Sequence, residues 1–491
     1  MADLYLKKVE IENYRCFAQQ AIALGCPDGI NPGSGLNILI GENGNGKTTI
    51  LEAINLLSQS SYAVENKLAI GDFQVKDNSI VVKGFTNDFQ CKMPYAGNYF
   101  DCNGIEVSAK NRDRKSPGRL LSSPFQVSAS FINKTVNYKN SKGVDSTKPI
   151  EGLHKLFRNE NIIAGEFSIF FFDKNRSRQI STGTFTTTFE RICEDLNWRF
   201  AKSLDTANTA AMVKNISGDY FTAVLDSAQK GIGTKLAADL CTFFGTTEYN
   251  NLKIDLLDLL HPFSQSFFAI RDDSELKQIK TKALGSGIEM ILTILLLKSV
   301  AGASKGSIIY LIDEPELHLH PKAQDKFLSL LLDESKDKQI IVSTHSPYIF
   351  KNAISGPSKM IILKRDAANK VALEYPNTAG WGKFPWSPSW GEINYHAFDL
   401  PTVEFHNELF GYIQERNLIP SIVGVDAHLA ANGVAQTKNW IRLDHGVAQP
   451  AQPATLPYYV RNSIHHPENQ YNVRYTDTEL KDSIALMLPL A

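Results

Sequence analysis

The sequence predicts an α/β fold built on a parallel sheet, and three mainly apolar segments support this prediction. They are residues 36–40, 308–312 and 339–342, each followed directly by glycine or polar residues. Uninterrupted apolar runs are typical of central parallel strands that are buried on both faces. Because ligands of open α/β sheets bind at the carboxyl ends of the strands, we expect the residues after these runs to form one site.

The first run leads into a glycine-rich loop and then a helical pattern, a context that favours a P-loop over an ordinary glycine turn. Its sequence is Gly41-Glu42-Asn43-Gly44-Asn45-Gly46-Lys47-Thr48. The glycines let backbone N–H groups converge on phosphate oxygens, with Lys47 reaching the β- and γ-phosphates and Thr48 ligating Mg²⁺. The nucleotide-binding residues that we expect are Gly41, Asn43, Gly44, Gly46, Lys47, Thr48 and Thr49.

The second and third runs end in groups suited to phosphate chemistry. Asp313 and Glu314 follow residues 308–312, and His345 follows the third run after a short polar segment. We expect Asp313 to hold Mg²⁺ and Glu314 to polarise the attacking water, since phosphoryl transfer depends mainly on positioning. A solvated acidic strand end is the alternative, although adjacent carboxylates beside a buried strand are costly unless paired or metal-bound. His345 is interpreted as a γ-phosphate sensor in preference to a structural histidine, which makes Glu314, His345 and Lys47 the expected catalytic residues.

A fourth motif, Leu284-Gly285-Ser286-Gly287, precedes a further apolar helical pattern. With the P-loop, Asp313-Glu314 and His345, it makes the chain resemble the ABC-type AAA ATPases of the OLD, RecF and SMC branch. The runs 313–321 and 9–17 resemble the OLD and RecF-like members in particular.

This resemblance implies a mixed sheet with an antiparallel lobe, ATP and Mg²⁺ as ligands, and two identical heads that close on each other across ATP. Ser286 and Gly287 of one head would then contact the γ-phosphate held by the other. The chain departs from the usual pattern at Gly285 and Ile288. The alternative role for this motif is a helix N-cap at Ser286, and the two roles are compatible.

Five segments are predicted along the chain. Residues 1–150 carry the P-loop and the antiparallel lobe, and 151–275 form a helical insertion or lid without a coiled-coil heptad repeat. Residues 276–365 complete the head. A tryptophan- and proline-rich linker (366–395) leads to a small α-helical domain (396–491).

The C-terminal domain contains a short motif that resembles that of HEPN ribonucleases. Arg461 and Asn462 are followed by His465 and His466. A histidine and an arginine could cleave RNA, the imidazole moving a proton of the 2′-OH and the guanidinium holding the phosphate. On a helix, His465 shares a face with Arg461 better than His466 does. The alternative is a helix end whose histidines bond the last carbonyls.

Composition restricts the choice of function. The 491 residues are enough for more than one domain, and the net charge of −1 argues against general attraction to nucleic acid, so such contact needs a local patch. Six cysteines without metal-ligand spacing indicate reduced thiols. We expect a cytoplasmic protein, with neither a signal peptide nor a contact with the membrane.

The resemblance also implies a role in bacterial defence against phage, as in Septu-type, retron-associated and abortive-infection systems. The ATPase would act as a sensor that regulates a toxic nuclease, which is either a partner encoded nearby or its own tail. The expected assembly is a homodimer or higher homo-oligomer, with RNA or DNA contact left open. The alternatives are an ATP-gated HEPN-type ribonuclease using Arg461 and His466, and a RecF-like DNA-repair ATPase.

Overall fold

The computed structural model of the protein describes most of the N-terminal and C-terminal parts of the chain. The described residues are 4–58, 64–65, 67–92, 99–111, 125–139, 145–151, 166–173, 269–272, 277–280, 306–319, 321–353, 356–366, 368–376 and 382–491. The chain divides into two compact units, one of residues 1–174 and 305–491 and the other of residues 175–304. In the second unit the described residues form an antiparallel pair, β9 (Ala269–Asp272) and β10 (Lys277–Lys280).

An antiparallel sheet of six strands forms one layer of the first unit, which confirms the predicted antiparallel lobe. Its spatial order is β2-β1-β4-β5-β6-β7. On β1, Val9 and Ile11 are buried while Glu10 and Glu12 are only partly covered, the alternation of a strand with one face on the core. The strands are β1 (Leu6–Tyr14), β2 (Phe17–Ala23), β4 (Ile80–Lys92), β5 (Tyr99–Asn111), β6 (Phe125–Lys139) and β7 (Asp145–Glu151).

A second six-stranded sheet contains the three strands predicted from apolar runs. Its order is β14-β13-β3-β12-β11-β8, in which all neighbours are parallel except the edge pair β14–β13. The predicted strands β3, β12 and β11 are adjacent, so their carboxyl ends meet at one edge. The strands are β3 (Leu36–Gly41), β8 (Glu166–Phe172), β11 (Gly306–Asp313), β12 (Gln339–Thr344), β13 (Lys359–Arg365) and β14 (Val371–Glu374).

Two of these strands lie in segments for which the sequence predicts other structure. β8 falls within residues 151–275 and pairs in register with β11, so the head sheet extends into the range expected for a helical insertion. β14 falls within residues 366–395 and pairs with β13, which makes the start of the expected linker part of the sheet.

The described part of the head contains three α-helices, of which α1 packs between the two sheets. Helix α1 (Lys47–Leu56) follows the P-loop and buries Ile50, Leu51 and Ile54 in the same hydrophobic core as the antiparallel sheet. Helix α2 (Pro321–Glu334) lies between β11 and β12, and α3 (Pro347–Ala353) follows β12.

The C-terminal region is mainly helical, as predicted, with two short antiparallel strand pairs. Its helices are α4 (Trp390–Phe398), α5 (Val403–Arg416), α6 (Ile422–Ala431), α7 (Leu456–His465) and α8 (Asp477–Met487). The paired strands are β15 (Lys438–Trp440) with β18 (Gln452–Ala454), and β16 (Leu443–Asp444) with β17 (Val447–Ala448), which lie between β15 and β18 in the sequence. The last of these helices, α8, begins with a capping box, in which the side chains of Thr476 and Glu479 each accept a hydrogen bond from the other residue's backbone N–H.

Helix α4 connects this C-terminal region to the head within the first unit. Helix α4 contacts α3 and β3, and the rings of Trp390 and Tyr348 lie 5.0 Å apart. The core between the helices includes Phe405, Leu409 and Ile484. Within the described residues, no helix is long and apolar enough to cross a membrane.

Candidate nucleotide-binding site

The glycine-rich loop leaves β3 and turns into α1 through a left-handed residue. Gly46 has φ +94° and occupies the N-cap position of the helix. A Cβ atom at Gly46 would lie 2.7 Å from Cys16 Sγ and 2.8 Å from Phe17 Cζ, so both the backbone conformation and the space require glycine. The loop therefore directs the N-terminus of α1 at the sheet edge, where it can bind an anion.

Side chains hold the loop in this shape from two directions. Lys47 Nζ donates to the carbonyls of Gly41 at 2.8 Å and Glu42 at 3.0 Å, and the lysine is only 4% exposed. From strand β13, the carbonyl of Leu363 accepts from Asn45 Nδ2 at 3.0 Å.

Arg365, also on β13, donates to the carbonyl of Gly44 at 2.9 Å. The exposed stretch of the loop, which includes Asn43 and Gly44, is thus tied to the neighbouring strand. Thr49, the last of the expected nucleotide-binding residues, is buried in the first turn of α1.

The end of β11 meets the start of α1 at a carboxylate and a hydroxyl. Thr48 Oγ1 lies 3.1 Å from both carboxylate oxygens of Asp313, and Asp313 is 1% exposed. The hydroxyl of Ser343, at the end of β12, also donates to Asp313. Hard oxygen donors beside a phosphate-binding loop are the ligand set that Mg²⁺ takes in nucleotide sites, so Thr48 and Asp313 fit this ion.

Glu314 and His345 face each other across the ends of β11 and β12. Glu314 Oε1 lies 3.6 Å from His345 Nε2. The backbone of Glu314 is left-handed (φ 46°), and its N–H donates to the carbonyl of Ser343 at 3.0 Å. A left-handed conformation is costly for a residue with a side chain, and such strain is often found at functional sites. The two predicted catalytic groups therefore lie side by side at the carboxyl edge of the sheet.

A half-buried ion pair between Arg15 and α1 was not predicted from the sequence. Arg15 contacts Glu52 of α1, and its Nε donates to Asp72 at 2.7 Å. Burial raises the pKa of Glu52, and the adjacent guanidinium acts in the opposite direction. Arg15 lies in the run 9–17, which was noted only as a resemblance, so a pairing with α1 had no signal in the sequence.

Ser286 and Gly287 lie outside the described residues, as does the whole motif 284–287. Among the expected site residues that are described, Lys47, Thr48, Asp313, Glu314 and His345 meet at one edge of one sheet.

The four expected residues of the C-terminal motif lie at the end of α7. Arg461 donates to Asn462 Oδ1 at 3.0 Å, and Asn462 is buried. Burial lowers the pKa of His465, and the positive charge of Arg461 lowers it further. His466 instead lies 3.3 Å from the carboxylate of Glu468, measured from its Nδ1. Arg461 therefore acts electrostatically on His465, as the helical spacing predicts, while His466 pairs with Glu468.

A third histidine, His406, lies beside this group. His406 of α5 is fully buried, with Nε2 2.8 Å from the hydroxyl of Ser483 on α8. Burial lowers its pKa to about 4, and the positive charges of His465 and Arg461 act in the same direction. Helices α5 and α7 thus bring two histidines and an arginine close together, an arrangement that the motif alone did not reveal.

Known proteins resemble this chain over much of its length. A family model described as an AAA ATPase domain matches residues 4–350, a range that includes Lys47, Asp313, Glu314 and His345. The chain is 25% identical over 378 residues to the OLD nuclease of Thermus scotoductus, an alignment that covers 75% of this chain and 64% of that protein. It therefore spans less than two thirds of that relative's length.

A second relative and one solved structure extend the comparison. The chain is 23% identical over 405 residues to the Retron Vc95 probable ATPase of Vibrio cholerae, covering 73% of this chain and 74% of that one. An SMC head bound to the C-terminal winged-helix domain of ScpA aligns at a TM-score of 0.39 and 13% identity, over 76% of this chain and 98% of that one.

Proposed function

The chain belongs to the AAA ATPase domain family, and from this premise we propose that it binds ATP with Mg²⁺ at the P-loop and hydrolyses it. One observation carries the proposal. Five chemically matched side chains lie together at the carboxyl edge of the parallel sheet: Lys47, Thr48, Asp313, Glu314 and His345.

Each group has a task in this proposal. The Lys47 ammonium and the N–H groups at the start of α1 bind the phosphates, while Thr48 and Asp313 hold Mg²⁺. The ion, when bound, neutralises negative charge on the phosphates. Glu314 orients the attacking water by accepting its hydrogen bond. His345, 3.6 Å from Glu314, donates to the γ-phosphate or to the same water.

We further propose that two heads close on each other across ATP. In this arrangement Ser286 and Gly287 of one subunit complete the site of the other. The support is the resemblance of the motif 284–287 to that of the OLD, RecF and SMC branch. ATP would favour the closed dimer or a larger homo-oligomer, and hydrolysis would open it.

The biological role that we propose is a sensor that regulates a toxic nuclease in defence against phage. The supporting finding is the similarity to the Retron Vc95 probable ATPase, which spans 73% of this chain. The nuclease is either a separate protein encoded nearby or the C-terminal domain itself.

The arrangement of Arg461 and His465 favours the C-terminal domain itself as the nuclease. The two residues interact on α7, and His465 is exposed to solvent at the helix end. The imidazole could remove a proton from the 2′-OH of RNA while the guanidinium binds the phosphate. Arg461→Ala and His465→Ala should then abolish RNA cleavage and leave ATP hydrolysis intact, whereas His466→Ala should retain most of both activities. Unchanged cleavage in the first two variants would refute the proposal for the tail.

The ATPase proposal is tested by two substitutions at the sheet edge. Glu314→Gln keeps the shape of the site but removes the carboxylate that orients water, so the variant should accumulate as an ATP-bound dimer or larger assembly. Light scattering after size-exclusion chromatography, with and without ATP, measures this association. Lys47→Ala should lose both hydrolysis and association because it lacks the phosphate-binding ammonium. Hydrolysis by Lys47→Ala at the wild-type rate would refute the proposed site.

A further inference from the structure

We infer that Glu316 is a positioning residue for ATP hydrolysis, holding the backbone of His345 so that its ring stays beside Glu314. The inference rests on the proposed ATPase function and adds a residue to its site. Glu316 lies two positions beyond Glu314, in a segment for which the sequence indicated no chemical task.

The path of the chain after β11 brings this carboxylate back to the sheet. Glu314 has a left-handed backbone (φ 46°) and is followed by a 3-10 turn, Pro315–His318. Within this turn Glu316 faces the end of β12, where its Oε1 accepts the backbone N–H of His345. The Glu316 side chain thus links the segment after β11 to the segment after β12.

The residues on either side of His345 are held by the same loop and by α2. The N–H of Ser346 donates to Thr344 Oγ1 at 2.9 Å, and the Ser346 hydroxyl donates to Gln324 Oε1 at 2.9 Å. Gln324 Nε2 in turn donates to the carbonyl of Leu319 at 3.3 Å. The segment 344–346 is therefore bound to the loop 314–319 at two points, of which Glu316 is the one directly at His345.

The charge and burial of the Glu316 carboxylate indicate that its contact with His345 supports the geometry of the site rather than the stability of the fold. Burial raises the pKa of Glu316, while hydrogen bonds from the N–H groups of His345 and Glu316 itself and from the Thr344 hydroxyl act against that rise. The negative charge of Glu314 raises it further. A second carboxylate beside Glu314 is an unfavourable choice for stability alone, because like charges repel and burial penalises them. Its benefit is a fixed acceptor at the one N–H that sets the direction of the His345 side chain.

Two substitutions distinguish the role of Glu316 as a hydrogen-bond acceptor from the role of its negative charge. Glu316→Gln retains an oxygen at the same reach, so its kcat for ATP should stay within about fivefold of wild type. Glu316→Ala leaves the His345 N–H without its acceptor, and kcat should fall about tenfold or more. The KM for ATP should change little in both variants because Lys47 and Thr48 are untouched. A uniform loss of binding would raise KM instead, so the split between kcat and KM distinguishes positioning from general damage.

A double-mutant cycle tests whether Glu316 acts through His345. If it does, Glu316→Ala combined with His345→Ala should be no slower than His345→Ala alone. Additive losses would overturn the inference, and so would equal losses in Glu316→Gln and Glu316→Ala. Glu415→Ala, which removes an exposed glutamate of α5, is the matched control and should behave as wild type.

Lys47→Ala distinguishes a failure of the proposed ATPase site from a failure of the role of Glu316. If wild type and Lys47→Ala hydrolyse ATP equally, the proposed ATPase site is refuted and the role of Glu316 with it. If wild type hydrolyses ATP and Glu316→Ala has an unchanged kcat, only the role of Glu316 is refuted.

Discussion

Substitution of Gly46 by alanine tests whether the P-loop geometry depends on the absence of a side chain at one position. Gly46 has φ +94°, and a Cβ there would lie 2.7 Å from Cys16 Sγ and 2.8 Å from Phe17 Cζ. Phe17 is only 2% exposed and belongs to the main core, so its ring has little room to move. Gly44 provides a matched control, since its φ is +80° but no atom lies within 4 Å of the added Cβ.

The two variants should differ by the energy of the clash. A left-handed residue with a Cβ costs about 1–2 kcal/mol, and both variants carry this cost. Overpacking a tight core adds about 1–3 kcal/mol, and only Gly46→Ala carries that cost. We therefore expect a loss in the free energy of unfolding of about 1–2 kcal/mol for Gly44→Ala and about 2–5 kcal/mol for Gly46→Ala.

Urea unfolding of the nucleotide-free proteins measures these losses. Adding Cys16→Ala to Gly46→Ala removes the sulfur atom nearest to the new methyl group and should recover part of the loss, whereas Cys16→Ala should not rescue Gly44→Ala. ATP affinity should fall more for Gly46→Ala, because the shifted loop no longer directs its N–H groups at the phosphates. Equal destabilisation of the two glycine variants would refute the geometric argument.

Three further predictions concern other parts of the chain. Thr48→Ala removes the hydroxyl that lies 3.1 Å from Asp313, so the Mg²⁺ concentration that gives half-maximal ATPase activity should rise about tenfold or more, while Thr48→Ser should stay near wild type. Burial lowers the pKa of His406 from 6.5 to about 4, so the unfolded chain takes up its proton first as pH falls. The free energy of unfolding should therefore decrease between pH 7 and 5 by about 2 kcal/mol in urea titrations, a decrease that His406→Gln should reduce. Thr476→Ala removes the cap of the last helix and should cost about 1 kcal/mol in the same assay, with faster hydrogen exchange in the first turn of that helix.

The parts of the fold that sequence predicted well share a local signal. The strands at 36–40, 308–312 and 339–342 are apolar because they are buried on both faces, and they are adjacent in the sheet. β8 has a similar apolar run, but its place beside β11 depends on pairing across more than a hundred residues. No local pattern specifies which distant strand becomes the neighbour. The packing of α4 on β3 is likewise a tertiary contact between segments without complementary motifs.

In the candidate site too, some residues have a local signal in the sequence and others depend on tertiary contacts. Lys47, Thr48, Asp313 and Glu314 follow strands or glycines whose spacing is visible in the sequence. Glu316 is different, because its role depends on the left-handed backbone of Glu314, which turns the chain back toward β12. From the sequence alone, Glu316 would be interpreted as an exposed acidic residue in a turn. Its contact with a backbone N–H twenty-nine residues later exists only because β11 and β12 are neighbours in parallel register. A residue that positions another through its backbone leaves no spacing pattern, so such groups have to be sought among carboxylates that bond the strand ends beside a recognised site.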